Sequence, residues 1–303
     1  MRVLITGGAG FIGSHIAEHY IGKSQVRILD NFRSGYRKNI ENLDVELIEG
    51  SITDRSAVRK AVKDIDYVFH LAAMISVPES MERPDKCVEI NTLGTLNVLE
   101  ESAQAGVKKL CFSSSAAVYG DNPKVPKYEN MLPEPKSPYA ITKLDGEYYC
   151  KMFTETAKLP TACMRYFNVF GPRQDPKSQY AAAVPIFISK ALKNEPIQIF
   201  GDGRQTRDFV YVKDVVAANA YLAENAEHTG VYNVGYGNSI TINNLAGKII
   251  DLTGSNSEVE HAPERAGDVK HSKAAINKIK DTGFACNSRF DEGIKQTKVF
   301  FQG

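Results

Sequence analysis

The strongest constraint on this chain is a rhythm. Short apolar runs, Val3-Leu4-Ile5, Val26-Arg27-Ile28-Leu29, Val45-Glu46-Leu47-Ile48, Tyr67-Val68-Phe69 and Leu110-Cys111-Phe112, alternate with segments of helical apolar spacing such as Asp54 to Val62 and Asn91 to Ala105. Such alternation reads as successive βα units of a parallel sheet. The first half is therefore expected to be a Rossmann-type doubly wound α/β domain, with Thr53 or Asp54 capping a helix. After about Phe167 the rhythm breaks into loops and short strands, with turn signals at Gly171-Pro172 and Gly201-Asp202-Gly203. The expected division is a nucleotide-binding domain over 1–167, a segment at about 208–235 returning to it, and a smaller α/β substrate lobe over 168–207 and 236–303. A strand and helix from roughly Asp208 to Glu224 are expected in the returning segment. Further helices are expected at Thr241 to Leu252, capped by Thr241, and at Ser272 to Lys280.

At 303 residues the chain can bury a large core and hold two lobes. Its formal net charge of +1, with both signs mixed along the sequence, gives no footprint for nucleic acid, a membrane surface or a polyanion. Five cysteines, Cys87, Cys111, Cys150, Cys163 and Cys286, lie far apart without the paired spacing of a zinc site. They suit a reducing cytosol, and neither disulfides nor a metal is expected. The chain enters an apolar strand without a signal-peptide pattern, and no run reaches transmembrane length. The expectation is a cytoplasmic enzyme acting on a small molecule.

The motif Gly8-Ala9-Gly10-Phe11-Ile12-Gly13 follows the first strand and opens a helix. Glycines there let backbone approach a pyrophosphate, whose charge the helix N-terminus favours. Asp30 ends the second strand, where a carboxylate can accept bonds from both hydroxyls of an adenosine ribose, which favours NAD over NADP. Arg33 and Arg37 follow in the same loop, where a guanidinium could meet a 2′-phosphate or stand as a solvated charge.

Tyr139 and Lys143, four residues apart, share one helix face. For unit charges about 6 Å apart at an effective dielectric of about 20, the attraction is roughly 3 kcal/mol, or about two pKa units. The pair is therefore expected to carry a phenol shifted down towards a usable base. Ser115, at the end of the fifth strand, is placed to join it.

With Ser113-Ser114-Ser115-Ala116-Ala117-Val118-Tyr119-Gly120 added to these motifs, the chain resembles extended short-chain dehydrogenase/reductases and, within them, UDP-hexose 4-epimerases. The resemblance runs from Met1 to about Thr297. Its more diagnostic motifs are Arg165-Tyr166-Phe167-Asn168-Val169-Phe170-Gly171, Arg207-Asp208-Phe209-Val210 and Arg265-Ala266-Gly267-Asp268. The resemblance implies bound NAD, with Tyr139 taking the proton of the sugar 4-hydroxyl, Lys143 lowering its pKa and holding the nicotinamide ribose, and Ser115 positioning or relaying the proton. It implies cofactor contacts at Gly7, Gly10, Phe11, Ile12 and Gly13 in the first turn, and at Asp30, Asn31, Ser34 and Gly35 after the second strand. Ser51 and Ile52, then Leu71, Ala72 and Ala73, then Asn91, Tyr139, Lys143 and Tyr166 complete that set. Many relatives have aspartate at the Ser51 position to bind the adenine amino group.

The same resemblance implies substrate contacts at Ser76, Ser115, Tyr139, Asn168, Ala183, Val184 and Phe200. It adds Arg207 and Arg265 for the pyrophosphate and Asp268 for the ribose. At the gate beside the sugar acetamido pocket the chain has Ser272 where a bulky tyrosine would exclude N-acetyl groups, so UDP-GlcNAc and UDP-GalNAc are expected substrates beside UDP-Glc and UDP-Gal. Ser272 could equally cap the helix expected there. A homodimer through the Asn91 to Ala105 helix and the helix of Tyr139 is also implied. Among the alternatives, 4,6-dehydratases resemble Thr-Asp-Glu where this chain has Ser115-Ala116-Ala117, and UDP-glucuronate decarboxylases place glutamate at the Ala117 position. Two alanines supply neither acid nor base for elimination. A UDP-glucuronate 4-epimerase and a non-catalytic NAD-binding regulator remain as other readings.

Overall fold

The computed structural model describes residues 1–176, 182–264, 269–286, 288 and 290–303. Backbone contacts divide it into two units, one of Met1–Gly120, Pro133–Tyr166 and Val216–Tyr232, the other of Asp121–Leu132, Phe167–Val215 and Asn233–Gly303.

The first unit is built on strands β1 (Arg2–Thr6), β2 (Gln25–Asp30), β3 (Glu46–Glu49), β4 (Tyr67–His70), β5 (Lys109–Ser115) and β6 (Thr161–Tyr166). They lie in the order β6-β5-β4-β1-β2-β3, parallel at every one of these pairings, and Gly230–Val234 adds a seventh strand beside β6. This is the Rossmann-type doubly wound fold. The winding reverses at β1, so the mouth of a ligand cleft is set at the carboxyl ends of β1 and β4. Leu4, Val68, Leu110 and Phe112 of the central strands are buried with Val58 and Ala61 on one helix and Val98 and Leu99 on another. Burial on both faces explains why the strands read as continuous apolar runs.

Helices α1 (Phe11–Tyr20), α2 (Arg55–Val62), α3 (Val77–Glu82), α4 (Pro84–Val88), α5 (Gly94–Gln104) and α6 (Pro138–Thr156) connect these strands. Asp54 caps α2, accepting the amides of Ser56 and Ala57 at 2.9 and 3.3 Å. The expected helix from Asn91 to Ala105 begins differently, because a π-helical turn spans Glu89–Leu93 before α5.

Among its described residues the second unit contains three two-stranded sheets. Phe209–Tyr211 pairs in parallel with Asn168–Phe170, Ile240–Thr241 pairs antiparallel with Thr206–Arg207, and Val259–Ala262 pairs in parallel with Ile197–Phe200. The strand after Asp208 therefore joins a local pair, whereas the strand that returns to the large sheet is Gly230–Val234. Thr241 caps the helix Ile242–Thr253, as its sequence suggests, accepting the Asn244 amide at 3.1 Å.

The helix expected from Ser272 is not formed. A short helix, Asn277–Asp281, starts five residues later behind Ile276, which makes no side-chain cap. Ser272 to Ala275 are spent on partners distant in sequence: the Ser272 amide donates to the Thr206 carbonyl at 3.1 Å, and Lys127 exchanges bonds with Lys273 and Ala275 at 2.8 Å each. Backbone amides bonded this way cannot enter a helix, so Ser272 caps nothing. The same bonds hold Asp121–Leu132 in the second unit, although the sequence placed that stretch with the nucleotide-binding domain.

Candidate active site

The glycine turn after β1 is shaped by close approach. Gly7 has a φ of 72°, and a Cβ on it would lie 2.8 Å from the Ala72 amide nitrogen. A Cβ on Gly13 would lie 2.2 Å from the Gly7 carbonyl oxygen, so α1 can pack onto the turn only with glycine there. Gly10 caps α1 without a side-chain bond, and the first turn of the helix carries no acidic residue. That leaves a helix N-terminus suited to an anion.

Asp30 is buried and braces this turn, accepting the Ala9 amide at 2.9 Å and the Phe32 amide at 2.8 Å. A carboxylate with two such bonds keeps lone pairs for two more donors. Asn31 accepts the Arg33 amide at 3.1 Å, and Gly35 packs against Ala9 while Ser34 beside it is exposed. The Arg33 guanidinium pairs with Glu79, and Arg37 pairs with Glu49 while stacking over Phe32. Both arginines are thus engaged with carboxylates rather than presented to a 2′-phosphate.

Two further expected cofactor contacts, Ser51 and Ile52, have their side chains engaged within the protein. The Ile52 side chain is buried beneath Gly94, and its carbonyl accepts the Asn97 amide at 3.0 Å. Its side chain belongs to the core. The Ser51 hydroxyl shares a 2.8 Å bond with Thr53 and accepts the Thr53 amide at 3.2 Å, closing a local turn.

Helix α6 is fastened along one face. Ser137 caps it by accepting the Ala140 amide at 3.2 Å, and Ser80 accepts the Tyr139 amide, also at 3.2 Å. The Lys143 ammonium donates to the Ser113 carbonyl at 2.7 Å, and the Ser115 hydroxyl, which accepts the Ala117 amide at 3.1 Å, lies near enough to the Tyr139 phenol to favour its ionised form. Gly146 admits the Phe112 ring, since a Cβ there would be 2.4 Å from it. One turn on, Glu147 accepts the Ser114 hydroxyl at 2.5 Å and takes Arg165 at 2.7 and 2.8 Å, with both side chains 4% exposed. The Arg165 guanidinium lies 4.7 Å from the centre of the Tyr119 ring.

The sequence therefore places Ser115, Tyr139 and Lys143 together, but their electrostatics differ from the expectation. The Lys143 nitrogen is 5.8 Å from the centre of the Tyr139 ring. Burial nevertheless raises the phenol above its usual value, with Ser115 opposing, and burial pulls Lys143 itself down to about 8. Taking both groups out of water outweighs their mutual attraction.

Other expected contacts turn out to be braces. Asn91 is buried with its amide engaged, accepting the Met74 amide at 2.7 Å and donating to the Met74 carbonyl and to Thr142, each at 3.0 Å. The Tyr166 hydroxyl is held by Ser113 at 3.2 Å and by Asn219 at 2.8 and 3.1 Å. The Ser76 hydroxyl caps α3 by accepting the Glu79 amide at 3.0 Å. The Asn91 amide and the Tyr166 hydroxyl, both expected as cofactor contacts, are thus bonded within the protein.

In the second unit, the Asn168 side chain donates to the Asp208 carbonyl at 3.1 Å, and Arg207 to the Thr206 carbonyl at 2.9 Å. Val184 is fully buried in the helix Ala183–Ala191, so its side chain is core. Phe200 lines a cavity of about 230 Å³ with Gln205, Lys270 and His271. Arg265 and Asp268 lie outside the described residues. Asp208, which the sequence showed only as part of a motif, accepts the amides of Ala274, Tyr236 and Gly237 at 2.7 to 3.0 Å, while burial pushes its carboxyl up to about 6. Among the described residues no group of three or more His, Cys, Asp or Glu could hold a metal, and no helix is long and apolar enough to cross a membrane.

Residues 3–235 match the family described as Epimerase: NAD dependent epimerase/dehydratase family. The chain belongs to that family. It is 43% identical to a UDP-N-acetylglucosamine 4-epimerase from Methanobrevibacter ruminantium, solved with UDP-N-acetylmuramic acid, with a TM-score of 0.96 over 99% of this chain and 98% of that one. It is 41% identical to a putative UDP-glucose 4-epimerase of Methanocaldococcus jannaschii over 97% of this chain and 96% of the relative. It is also 35% identical to a UDP-N-acetyl-alpha-D-glucosaminuronate decarboxylase of Bacillus cytotoxicus, over 99% of this chain and 98% of the relative.

The first unit suits the NAD of this epimerase/dehydratase family. The uncapped N-terminus of α1 fits its pyrophosphate, the Asp30 carboxylate fits ribose hydroxyls, and paired Arg33 and Arg37 remove a reason to prefer NADP.

Lys143 gives a pH signature of the protein without cofactor. Its pKa of about 8 lies below the 10.5 of an unfolded lysine, so between those values the fold binds fewer protons and stability rises with pH. The burial penalty is full below pH 8 and gone above pH 10.5. Relative to Lys143→Met, the parent should gain up to about 3 kcal/mol across that window in urea denaturation. A difference that stays flat with pH would show that the ammonium is not buried at a cost.

Proposed function

We propose that the protein interconverts the C4 epimers of UDP-hexoses, UDP-GlcNAc and UDP-GalNAc as well as UDP-Glc and UDP-Gal. The observation that carries this reading is the Ser115, Tyr139 and Lys143 set in the unit that holds the glycine turn, followed by Ala116 and Ala117 in place of an acid or base. Bound NAD supplies a reversible two-electron acceptor for the hydride at sugar C4. Tyr139 moves the proton of the 4-hydroxyl, Ser115 holds the phenol and can relay that proton, and Lys143 supplies positive charge from behind. Asn168, Ala183, Phe200, Arg207, Arg265, Asp268 and Ser272 are proposed to bind the UDP-sugar, with Ser76 on the sugar side.

Incubation of NAD-loaded protein with each UDP-sugar, followed by chromatographic separation of products, tests the reading. The expected result is epimer formation without loss of carbon dioxide. A uronate as sole substrate would instead support a UDP-glucuronate 4-epimerase, and release of carbon dioxide would align the chain with its decarboxylase relative. For the N-acetyl preference, Ser272→Tyr should lower kcat/KM on acetamido sugars by at least about tenfold, the scale of a steric rejection in a pocket, while sparing UDP-Glc. Equal loss on both classes would point to disturbance of the Ser272–Thr206 bond.

The proposed assembly is a homodimer. Ile141, Tyr148 and Met152 form a stripe along α6 that is 53, 61 and 43% exposed, and Leu93 at the start of α5 is 52% exposed. Such a stripe is costly to leave in water. The five free thiols suit the reducing cytoplasm proposed as its location.

A further inference from the structure

A line of buried hydrogen bonds runs beneath the cleft and has a single consistent direction. The Ala72 amide donates to the Thr6 hydroxyl at 3.2 Å. That oxygen is 2.7 Å from His70 Nδ1, and His70 Nε2 is 2.9 Å from the Thr95 hydroxyl. Thr95 in turn donates to the Asn91 carbonyl at 2.5 Å. A hydroxyl has one hydrogen, so with its own directed at Asn91, Thr95 must accept from His70. His70 is therefore protonated on Nε2, and its bare Nδ1 accepts the Thr6 hydroxyl. His70 is 1% exposed, and both burial and the facing Lys143 cation pull its pKa down to about 3, in keeping with a neutral ring.

The chain does not stop at Asn91. Its side chain clasps Met74 by both backbone groups and donates to Thr142, which donates to the Tyr139 carbonyl at 2.9 Å. The segment between β4 and α3 is thus tied at Ala72 through Thr6 and at Met74 through Asn91, and it abuts Gly7 in the pyrophosphate turn. Both ties converge on the π-turn that precedes α5.

We infer that His70, as the neutral Nε2-protonated tautomer, is a positioning residue that holds the Leu71–Met74 segment in register for the dinucleotide. The inference rests on the reading of Leu71 to Ala73 as the path of NAD. Removing the ring leaves the Thr6 hydroxyl without its acceptor and the Thr95 hydroxyl without its donor, so the oxygen that holds the Ala72 amide is no longer fixed and one of the segment's two anchors is loosened.

Two measurements test it. In a long-range imidazole ¹H–¹⁵N correlation of the labelled full chain, His70 should show a bare Nδ1 and a protonated Nε2 throughout the neutral range. A protonated Nδ1, or an imidazolium, would overturn the inference. In calorimetric titrations with NAD, His70→Leu should weaken binding by about tenfold, the size of one lost net hydrogen bond, while turnover at saturating NAD stays near that of the parent. His70→Gln, whose amide can still donate to Thr95, should recover part of the affinity and stands in if the leucine variant does not fold. Parental affinity in a folded variant sinks the inference, as does a loss confined to turnover. Failure of the parent itself to bind NAD would refute the cofactor reading instead, leaving the tautomer to decide the hydrogen-bond chain.

Discussion

Tyr139→Phe should bind NAD as the parent does and lose about 10³-fold in turnover, within the usual range for a positioned proton carrier. The ring stays, so packing is preserved. What is lost is the hydroxyl whose ionised form Ser115 favours. The structure adds a condition to this prediction. Burial raises the phenol, and the nearby Lys143, pulled down to about 8 itself, does not reverse that shift. The positive charge of oxidised cofactor would oppose that shift, so a difference spectrum of the phenol should appear at lower pH when NAD⁺ is bound. Turnover within tenfold of the parent in the phenylalanine variant would rule out Tyr139 as the proton carrier.

Glu147→Leu should cost about 3–5 kcal/mol in chemical denaturation, because Arg165 would keep a buried charge with no carboxylate beside it. The pair sits two turns beyond Tyr139 on α6 and reaches β6 through Arg165 and β5 through Ser114. Replacing both partners, Glu147→Leu with Arg165→Met, should recover most of the loss, since apolar side chains of similar size fill such a site without a desolvation penalty. A single variant that loses under about 1 kcal/mol would mean that the ion pair is hydrated in solution.

The large fold was legible because β1, β4 and β5 are buried on both faces and so write their positions as unbroken apolar runs. The glycine turn and Asp30 were legible because their roles are local, set by residues within a single βα unit and the strand beside it. Errors arose where the partner is remote. Ser272-Lys273-Ala274-Ala275 has helical composition, but Asp208, 66 residues earlier, takes the Ala274 amide, and Lys127 takes its neighbours. Glu147 and His70 went unnoticed for the same reason: Arg165 is 18 residues from one and Thr6 64 from the other. A sign for Glu147 did exist, since it lies four residues beyond Lys143 on the face that carries Tyr139. The downward shift expected for Tyr139 fails because it weighs only the attraction of Lys143 and leaves out the cost of ionising a buried phenol.

The thiols have one more use. Cys87, Cys111, Cys150 and Cys163 are all buried in the first unit, whereas the partly exposed Cys286 belongs to the second. Burial pushes the Cys111 thiol up to about 12 and that of Cys286 to about 11, so neither of these is primed to react while folded. The four buried thiols must wait for their surroundings to open, whereas Cys286 needs only its own partly exposed site. Mass tagging over time would therefore clock the two halves of the molecule separately, with no reporter group added.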